Sequence, residues 1–230
     1  MQILNTKDGS CTLYNDEINE TYHSIHGAIS ESDHVYIQAG LKRALAKKDH
    51  INILEVGFGT GLNALLTIDS LKDGQSVSYT ALEPFILSSQ ELQEYYSHFE
   101  MQPDSLNFID SMCSASEKTE QITPNFRFSL LKQKLQDVNF KEILNYVNAN
   151  GFDLVYYDAF APSKQSEMWE FECFEKLNPI MNDNAILVTY CAQGQFKRHL
   201  KTLGWVVIPE PGPHGKREMT VAHKVVSYLP

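Results

Sequence analysis

Two acidic residues end apolar segments of the sequence, and a glycine-rich turn follows a third apolar segment. Glu83 ends VSYTALE, Asp158 ends FDLVYYD, and INILEVG leads into the turn at Gly57. In an open α/β sheet, ligands bind beyond the carboxyl ends of the strands. We therefore expect Gly57, Glu83 and Asp158 to face one ligand site. The structural alternative for Asp158 is a residue that shapes its turn or caps the helix that follows.

The segment ILEVGFGTG places three glycines, Gly57, Gly59 and Gly61, between a predicted strand and a predicted helix. Glycines at such a turn let the backbone bend sharply and approach a ligand closely. A phosphate-binding P-loop is excluded because no Lys-Ser or Lys-Thr pair follows. Glu55 precedes the first glycine, and Glu83 ends the next strand, where an acid can hold ribose hydroxyls. This pattern resembles the S-adenosylmethionine loop of class I methyltransferases.

Strand-like and helix-like segments alternate through the middle of the chain. The predicted strands are 51–57, 77–83, 126–132, 152–158, 185–190, 205–210 and 218–226. The predicted helices are 62–71, 86–99, 140–147, 169–180 and 193–203, while 102–124 is ambiguous. Alternation of this kind predicts an α/β, Rossmann-like fold with a mostly parallel sheet. The last two strands lack an intervening helix and are expected to form an antiparallel hairpin at one edge. We expect one domain over residues 1–230, with residues 1–40 packed on it as an extension.

The composition is that of a globular protein with an apolar core. Of its 230 residues, 43% are hydrophobic and 21% charged, and the formal net charge of −10 argues against a broad basic face. No apolar run reaches the roughly 18–20 residues of a membrane helix, and no secretion signal is visible. The cysteines stand far apart without a C-x-x-C pattern, so neither a zinc site nor a disulfide framework is expected. We therefore expect a reduced, cytoplasmic protein.

Several segments together resemble one family. They are GFGTGLN (57–63), LEPF (82–85), DAFAPSKQSEMW (158–169), GPHGKREM (212–219) and YHSIHGAISESDHVYI (22–37). They look like the tRNA 5-methylaminomethyl-2-thiouridine methyltransferase family, which is the methyltransferase half of MnmC-type proteins and stands alone in some bacteria. The resemblance runs from about residue 9 to residue 223, and DAFAPSK and GKREM are its most specific parts.

The resemblance implies methyl transfer from S-adenosylmethionine to the aminomethyl group of wobble 5-aminomethyl-(2-thio)uridine in tRNA. The residues implied to hold the cofactor are Glu55, Gly57, Gly59, Gly61 and Glu83. Asp158 is implied to lie at the transfer point and to contact the cofactor. The resemblance also implies an acid after the third strand, near the adenine. Asp137 is the candidate, and a shifted alignment would place Lys134 or Gln133 there instead. FAD is not expected, because the chain has no second dinucleotide loop, and the implied substrate is then the aminomethyl uridine itself. A metal is not expected, because the cysteines lack the spacing of a zinc site.

Asp158 would act on the substrate amine, which is largely protonated at neutral pH and must lose a proton before it attacks. Positioning of the amine supplies much of the acceleration in such a displacement. An ordinary aspartate, with a pKa of about 3.9, is a poor base at pH 7. We therefore expect Asp158 mainly to orient the amine and to assist the loss of its proton.

Further side chains are expected around the same pocket. Phe160 and Pro162 would form a wall for a flipped-out base, since a stacked base is out of reach. Phe58, within the glycine loop, would shield the cofactor. Ordinary packing is the alternative for these three residues. Part of the N-terminal segment is also expected to line the pocket: Tyr22, His23 and Ser24.

Basic residues near the C-terminus are expected to contact tRNA. Lys216 and Arg217 lie in the loop of the predicted hairpin and would meet the phosphates of an anticodon loop. Lys197, Arg198 and Lys201 add positive charge on a neighbouring helix, with a solvated surface as the alternative. The expected partner is thus tRNA, with no membrane and no obligate protein partner.

Two other functions remain open at this stage. An aminopropyltransferase-like enzyme or a small-amine methyltransferase would share the glycine loop, the acid after the second strand and the aspartate after the fourth. The FAPSK and GKREM segments favour the tRNA family, because they have no obvious purpose around a free polyamine. A non-catalytic tRNA- or protein-binding module is the third possibility, and the three acids Glu55, Glu83 and Asp158 argue against it.

Overall fold

The strands form a small sheet and a large one. In a computed structural model, the described residues are 1–99, 105, 108–109, 111, 119–146 and 150–225. The small antiparallel sheet contains β1 (Gln2–Asn5), β2 (Cys11–Asn15) and β3 (Glu20–Thr21). The large sheet contains β4 (His50–Val56), β5 (Ser76–Leu82), β6 (Glu120–Thr123), β7 (Phe126–Leu131), β8 (Phe152–Tyr157), β9 (Met181–Thr189), β10 (Trp205–Pro211) and β11 (Glu218–Lys224).

Helices connect most of these strands. They are α1 (Ala28–Ser32), a π-helical segment (Asp33–Leu41), α2 (Lys42–Leu45), α3 (Leu62–Ser70), α4 (Ser89–Tyr96), α5 (Phe140–Tyr146), α6 (Phe171–Leu177) and α7 (Gly194–Thr202). Two short 3₁₀ turns flank α6, at Ser166–Trp169 and Asn178–Ile180. None of the helices in the described ranges has the length and apolar character that a bilayer crossing requires.

The large sheet has the predicted mixed arrangement. Its strand order is β10-β11-β9-β8-β4-β5-β7-β6. The five strands from β9 to β7 are parallel, whereas β10 and β11 form the predicted antiparallel hairpin at one edge. The chain builds outward from β4 to β5 and β7 and then returns to place β8 on the other side of β4. In such sheets the ligand crevice lies where this reversal occurs, at the carboxyl ends of β4 and β8.

Each face of the sheet carries a layer of buried apolar side chains. Along β8, Leu154 and Tyr156 face one layer, and Val155 and Tyr157 face the other. A strand buried on both faces gives a continuous apolar run, which explains why FDLVYYD shows no alternation. The first layer includes side chains of the π-helical segment, α3 and α4, and the second includes α5, α6 and α7.

Two predicted helices have different ends in the structure. The helix predicted from residue 86 begins at Ser89, because Ser88 caps it in a reciprocal pair of hydrogen bonds with Glu91. The helix predicted over 169–180 is divided among a 3₁₀ turn, α6 and a second 3₁₀ turn that contains Pro179. Proline lacks the N–H that would continue an α-helix. Val147 and the end of the last predicted strand lie outside the described residues.

The N-terminal strands and helices were not predicted. The strands have two to five residues each, too few to show a period. They are nevertheless held firmly, since Cys11 is buried and its carbonyl oxygen accepts a hydrogen bond from the Tyr95 hydroxyl at 3.1 Å. Arg43 of α2 pairs with both carboxylate oxygens of Glu210 on β10, at 2.5 and 2.7 Å. The N-terminal segment therefore bridges from α4 to the edge hairpin.

Candidate active site

A cavity of about 1040 Å³ opens at the carboxyl ends of the parallel strands. Gly57, Glu83 and Asp158 all line it, as do residues of the N-terminal segment and of the hairpin loop. The strand ends are held in register by the backbone. The Gly57 amide donates to the Leu82 carbonyl at 3.1 Å, and the Asp158 amide donates to the Val56 carbonyl at 2.8 Å. The turns after β4, β5 and β8 therefore form one rigid floor.

The glycine loop provides a wall made of backbone. Gly57 has φ +87°, and a Cβ atom there would lie 2.5 Å from the carbonyl oxygen of Asp158. Gly59 has φ +54°, and its Cβ would lie 2.9 Å from a ring carbon of Tyr22. Both positions thus require glycine for conformation and for space. Gly61, with φ +81°, precedes α3 and does not line the cavity.

Glu83 is held at the end of β5 by the glycine loop. One carboxylate oxygen accepts from the Gly59 amide at 3.1 Å, and the other accepts from the Phe85 amide at 3.0 Å. Burial raises the pKa of Glu83, and these backbone donors oppose the rise. The side chain therefore has a fixed orientation with free lone pairs at the cavity, as a ligand for hydroxyl groups requires.

Asp158 follows β8 and presents a carboxylate that two side chains hold. The Tyr36 hydroxyl donates to Oδ1 at 2.5 Å, and Asn63 Nδ2 donates to Oδ2 at 2.8 Å. Burial raises the pKa of Asp158 to about 6, although both donors and Lys216 act to lower it; Glu31 contributes to the rise. A carboxylate with a pKa near neutrality is a far better proton acceptor than an ordinary aspartate.

Glu55 lies beneath the cavity wall and does not line the cavity. Its side chain is fully buried, and Oε1 accepts from Asn63 Nδ2 at 2.8 Å. Its Oε2 has no hydrogen-bond partner among the described residues. Burial raises the pKa of Glu55 well above its ordinary value, which favours the neutral carboxyl. Direct contact of Glu55 with a cofactor stays a prediction, and its contact with Asn63 connects it to Asp158.

Aromatic residues line the acceptor side of the cavity. Phe160 lies there with its ring edge-on to Tyr22 at 5.2 Å, and its carbonyl accepts from the indole N–H of Trp169 at 2.8 Å. Pro162 does not contribute to the described lining. Phe58 borders the cavity, but its ring packs in the core against Phe128 at 5.5 Å. The predicted roles of Pro162 and Phe58 stay predictions.

His23 and Ser24 line the cavity, and His23 attaches the N-terminal segment to the glycine loop. The His23 Nε2 atom lies 2.8 Å from the hydroxyl of Thr60. Burial lowers the pKa of His23 to about 4, so the imidazole is neutral under ordinary conditions. The Ser24 hydroxyl accepts from the His26 amide at 3.1 Å. His23 thus has the environment of a structural residue rather than of a proton donor at neutral pH.

The two basic residues of the hairpin loop point to different places. Lys216 lines the cavity, where its ammonium forms an ion pair with Glu31 at 2.7 Å and lies 3.9 Å from the centre of the Tyr190 ring. Arg217 is exposed and lines an open groove of about 490 Å³ beside the cavity. Tyr190 and Lys216 line both spaces. On α7, Lys197 pairs with Glu218, while the remaining basic residues are exposed.

The residues considered for the adenine all lie at the cavity. Gln133, Lys134 and Asp137 contribute to its lining, and the Asp137 amide donates to the Lys134 carbonyl at 3.0 Å. Asp137 is exposed. The turn after β7 thus brings all three to the cavity, and the choice among them stays a prediction.

Sequence reasoning missed Tyr36 and Asn63, the two residues that hold Asp158. Both belong to segments singled out above, Tyr36 to 22–37 and Asn63 to 57–63. Their partner lies 122 and 95 residues away along the chain. No local pattern signals contacts at such separations.

Comparison with known proteins agrees with this geometry. Residues 104–225, more than half of the chain, match the family model described as S-adenosyl-L-methionine-dependent methyltransferase. A relative from Cupriavidus metallidurans, named tRNA 5-methylaminomethyl-2-thiouridine biosynthesis bifunctional protein MnmC, is 28% identical over 92% of this chain and 32% of its own. A protein of the same name from Campylobacter hominis is 25% identical over 92% of this chain and 31% of its own. The chain thus spans about a third of the length of these relatives.

A solved structure has the same fold. The crystal structure of MNMC2 from Aquifex aeolicus matches with a TM-score of 0.76 and 24% identity, covering 100% of this chain and 72% of that one. This likeness confirms the predicted α/β methyltransferase fold with its C-terminal antiparallel strands. Together with the match of the family model over more than half of the sequence, it leads to one conclusion: the chain belongs to the S-adenosyl-L-methionine-dependent methyltransferase family.

Proposed function

We propose that the chain transfers a methyl group from S-adenosylmethionine to the aminomethyl nitrogen of wobble 5-aminomethyl-(2-thio)uridine in tRNA, giving the 5-methylaminomethyl nucleoside. The observation that carries this proposal is the Asp158 carboxylate, which lines the same cavity as the glycine loop and is held there by Asn63. The name of the relatives, which refers to biosynthesis of this nucleoside, supports the choice of substrate. Because the substrate would be tRNA, we also propose a cytoplasmic location.

The residues around the glycine loop fit S-adenosylmethionine. A Cβ atom at Gly57 or Gly59 would press on the Asp158 backbone or on the Tyr22 ring, so the bare backbone is what lets this wall approach a cofactor closely. Glu83, held by two backbone amides, is placed to accept hydrogen bonds from ribose hydroxyls. The turn that carries Asp137 would border the adenine. The cofactor, when bound, supplies an electrophilic methyl group.

The role of Asp158 follows from its surroundings. An ammonium has no lone pair for attack, so the substrate amine must become neutral in the site. With a pKa of about 6, Asp158 is ionised at neutral pH and accepts a hydrogen bond from the amine. After the ammonium has lost one proton to water, this hydrogen bond uses a remaining N–H of the neutral amine and leaves its lone pair directed away from Asp158. Methylation at the lone pair leaves the nitrogen with one proton too many, and Asp158 takes up that proton and passes it to water. Positioning and proton removal both lower the barrier.

The groove and the cavity together suit a flipped nucleotide. A base inside a stack cannot reach the cofactor, and it must swing out into a pocket. Tyr190 and Lys216 lie where the open groove meets the cavity, and Tyr22 and Phe160 provide aromatic edges inside. We propose that the target base enters past Tyr190 and that Arg217 contacts the phosphate backbone in the groove.

A small free amine is the second candidate substrate. Further acids, among them Glu20 and Glu31, line the cavity with Asp158, and such a set attracts a cationic amine. Lys216 pairs with Glu31 and reduces this attraction. The same assay separates the two substrates.

The test is methyl transfer from labelled S-adenosylmethionine. The acceptors are tRNA from cells that lack this enzyme and, in parallel, polyamines. Digestion of the tRNA identifies the labelled nucleoside. Label in a 5-methylaminomethyl uridine is expected, and the Asp158→Asn variant is the control for background. Label in a polyamine, or in no nucleoside despite measurable cofactor binding, would reject tRNA as the substrate.

A further inference from the structure

Both oxygens of the Asp158 carboxylate accept a hydrogen bond from a buried side chain of another element. The donors are the Tyr36 hydroxyl, at 2.5 Å from Oδ1, and Asn63 Nδ2, at 2.8 Å from Oδ2. Tyr36 is 1% exposed and Asn63 is 2% exposed. Neither contributes to the lining of the cavity. Any influence that they have on a substrate must therefore pass through Asp158.

Tyr36 is brought to Asp158 by an irregular helix. It lies in the π-helical segment Asp33–Leu41. π-Helical turns are rare in proteins, and those that occur are often found at functional sites. Gly40 of the same segment lets the helix approach the sheet, since a Cβ there would lie 3.0 Å from a methyl group of Val188. The Tyr36 ring packs against the ring of Tyr156 at 5.1 Å. The close approach of the helix to the sheet and the contact with Tyr156 together orient the Tyr36 hydroxyl.

Asn63 is fixed by a second carboxyl group behind it. Its Nδ2 donates one hydrogen to Asp158 and the other to Glu55 Oε1, both at 2.8 Å. Rotation of the amide would break both hydrogen bonds. Glu55 is fully buried and is not itself part of the cavity lining. This location explains why the acid of the glycine-loop motif does not line the cavity.

We propose that Tyr36 and Asn63 are positioning residues, which hold the Asp158 carboxylate in one orientation and keep it ionised, with Glu55 as the buried anchor of Asn63. The inference rests on the proposed role of Asp158. One lone pair on each oxygen is engaged by a donor, so the remaining lone pairs are left to meet the amine. Such a two-sided hold reduces the number of carboxylate orientations before the substrate binds.

Titratable groups face Asp158 from every element around it. These are Tyr36 and Glu31 from the N-terminal helices, Glu55 from β4, Tyr79 from β5, Tyr190 after β9 and Lys216 from the hairpin loop. Burial is the largest influence and raises the pKa of Asp158, whereas the Tyr36 and Asn63 donors lower it. Loss of the Tyr36 hydroxyl should therefore increase the proton affinity of Asp158.

The decisive measurement is an NMR titration of the protein alone, with ¹³C-labelled aspartate carboxyl groups. The Asp158→Asn variant identifies the resonance. Tyr36→Phe is expected to increase the proton affinity of Asp158 about tenfold, which corresponds to one pKa unit. The matched control is Tyr156→Phe, a buried tyrosine whose hydroxyl contacts Thr67 at 3.2 Å. An unchanged titration in Tyr36→Phe, or an equal change in the control, would overturn the proposal.

Kinetics give the second readout. Tyr36→Phe is expected to lower kcat about threefold at pH 6.5, because a pKa that rises by one unit from about 6 reduces the ionised fraction of Asp158 by that factor. Most of the loss should be recovered at pH 8.5, with KM for tRNA unchanged. A uniform loss at all pH values would contradict the proposal. Asn63→Ala should reduce kcat further, and if that variant does not fold, Tyr36→Phe decides the matter alone. If Asp158→Asn retains full turnover, the proposed role of Asp158 fails, while the titration still tests the two donors.

Discussion

The two sides of the cavity are built in different ways. The cofactor side is a wall of backbone, in which Gly57 and Gly59 leave room and Glu83 is held by amides of the neighbouring turns. The acceptor side consists of side chains from distant segments, among them Tyr22, Asp158 and Lys216. The glycine positions of the backbone wall tolerate almost no substitution, and they carry no titratable group. A side-chain wall tolerates substitution, and its charges respond to pH and to one another.

Asp158→Asn should produce the largest effect and should affect only the acceptor side. The amide keeps the size of the carboxylate but cannot accept the amine proton. We expect kcat to fall about 10²–10⁴-fold, the range for loss of a general base, with little change in the affinity for S-adenosylmethionine. Single-turnover transfer and calorimetric titration of the cofactor measure the two quantities. Full turnover in this variant would remove Asp158 from the mechanism.

Gly57→Ala should damage the cofactor side by a smaller amount. The new Cβ would lie 2.5 Å from the Asp158 carbonyl oxygen, at φ +87°. We expect cofactor affinity to fall about 5- to 150-fold, since the clash must be relieved by a shift of the wall and strain of this kind costs about 1–3 kcal/mol. Gly74→Ala is the matched control, because Gly74 has φ +83° and a Cβ there meets nothing within 4 Å.

The difference between the two glycine variants tests whether the cofactor side of the cavity is a wall with no room for a side chain. Both introduce a side chain at a positive φ, and only Gly57→Ala adds a clash at the cavity. Equal losses of cofactor affinity would mean that backbone strain, rather than the space at the wall, is the cause.

The same contrast explains how much could be predicted from the sequence. The glycine loop, Glu83 and the strand that ends in Asp158 were predicted because each is a local pattern whose period and turn residues are visible over a few positions. The acceptor side was predicted only in part. Tyr36 and Asn63 meet Asp158 across 122 and 95 residues, and such contacts follow from the strand order rather than from local pattern.

The hairpin loop shows a second limit of prediction from the sequence. Lys216 and Arg217 are adjacent in sequence and were predicted to act together on phosphates. In the structure they diverge. Lys216 reaches Glu31 and Tyr190 in the cavity, whereas Arg217 remains exposed in the groove. Composition and spacing contain no information about this divergence.

Substitution of Arg217 should therefore weaken tRNA binding without affecting the cofactor. Arg217→Ala is expected to raise KM for tRNA several-fold and to reduce the salt dependence of binding by about one counterion. Arg198→Ala on α7 is the control for an exposed arginine outside the groove. Filter binding at two or more salt concentrations measures both variants. An equal effect of the two would indicate a diffuse basic surface instead of a defined contact.

The smallest effect concerns the junction between the two sides, where His23 contacts Thr60 of the glycine loop at 2.8 Å. Burial lowers the pKa of His23 to about 4 in the folded protein, below about 6.5 in the unfolded chain. The unfolded state therefore binds the proton first, and stability is lost as pH falls through this window. Between pH 7 and pH 5 this histidine should account for a loss of about 2 kcal/mol in the free energy of unfolding.

Asp158 acts in the opposite direction, since its pKa is raised to about 6 on folding and its ionisation costs stability as pH rises. The comparison must therefore be made between variants rather than on the wild-type protein alone. Urea unfolding at pH 7 and pH 5 should show a smaller pH dependence in His23→Gln than in the wild type, and no such change in His98→Gln, whose side chain is exposed. If His23→Gln keeps the full pH dependence of the free energy of unfolding, the neutral His23 does not join the two sides of the cavity. The N-terminal segment must then be held to the glycine loop by the packing of Tyr22 on Gly59.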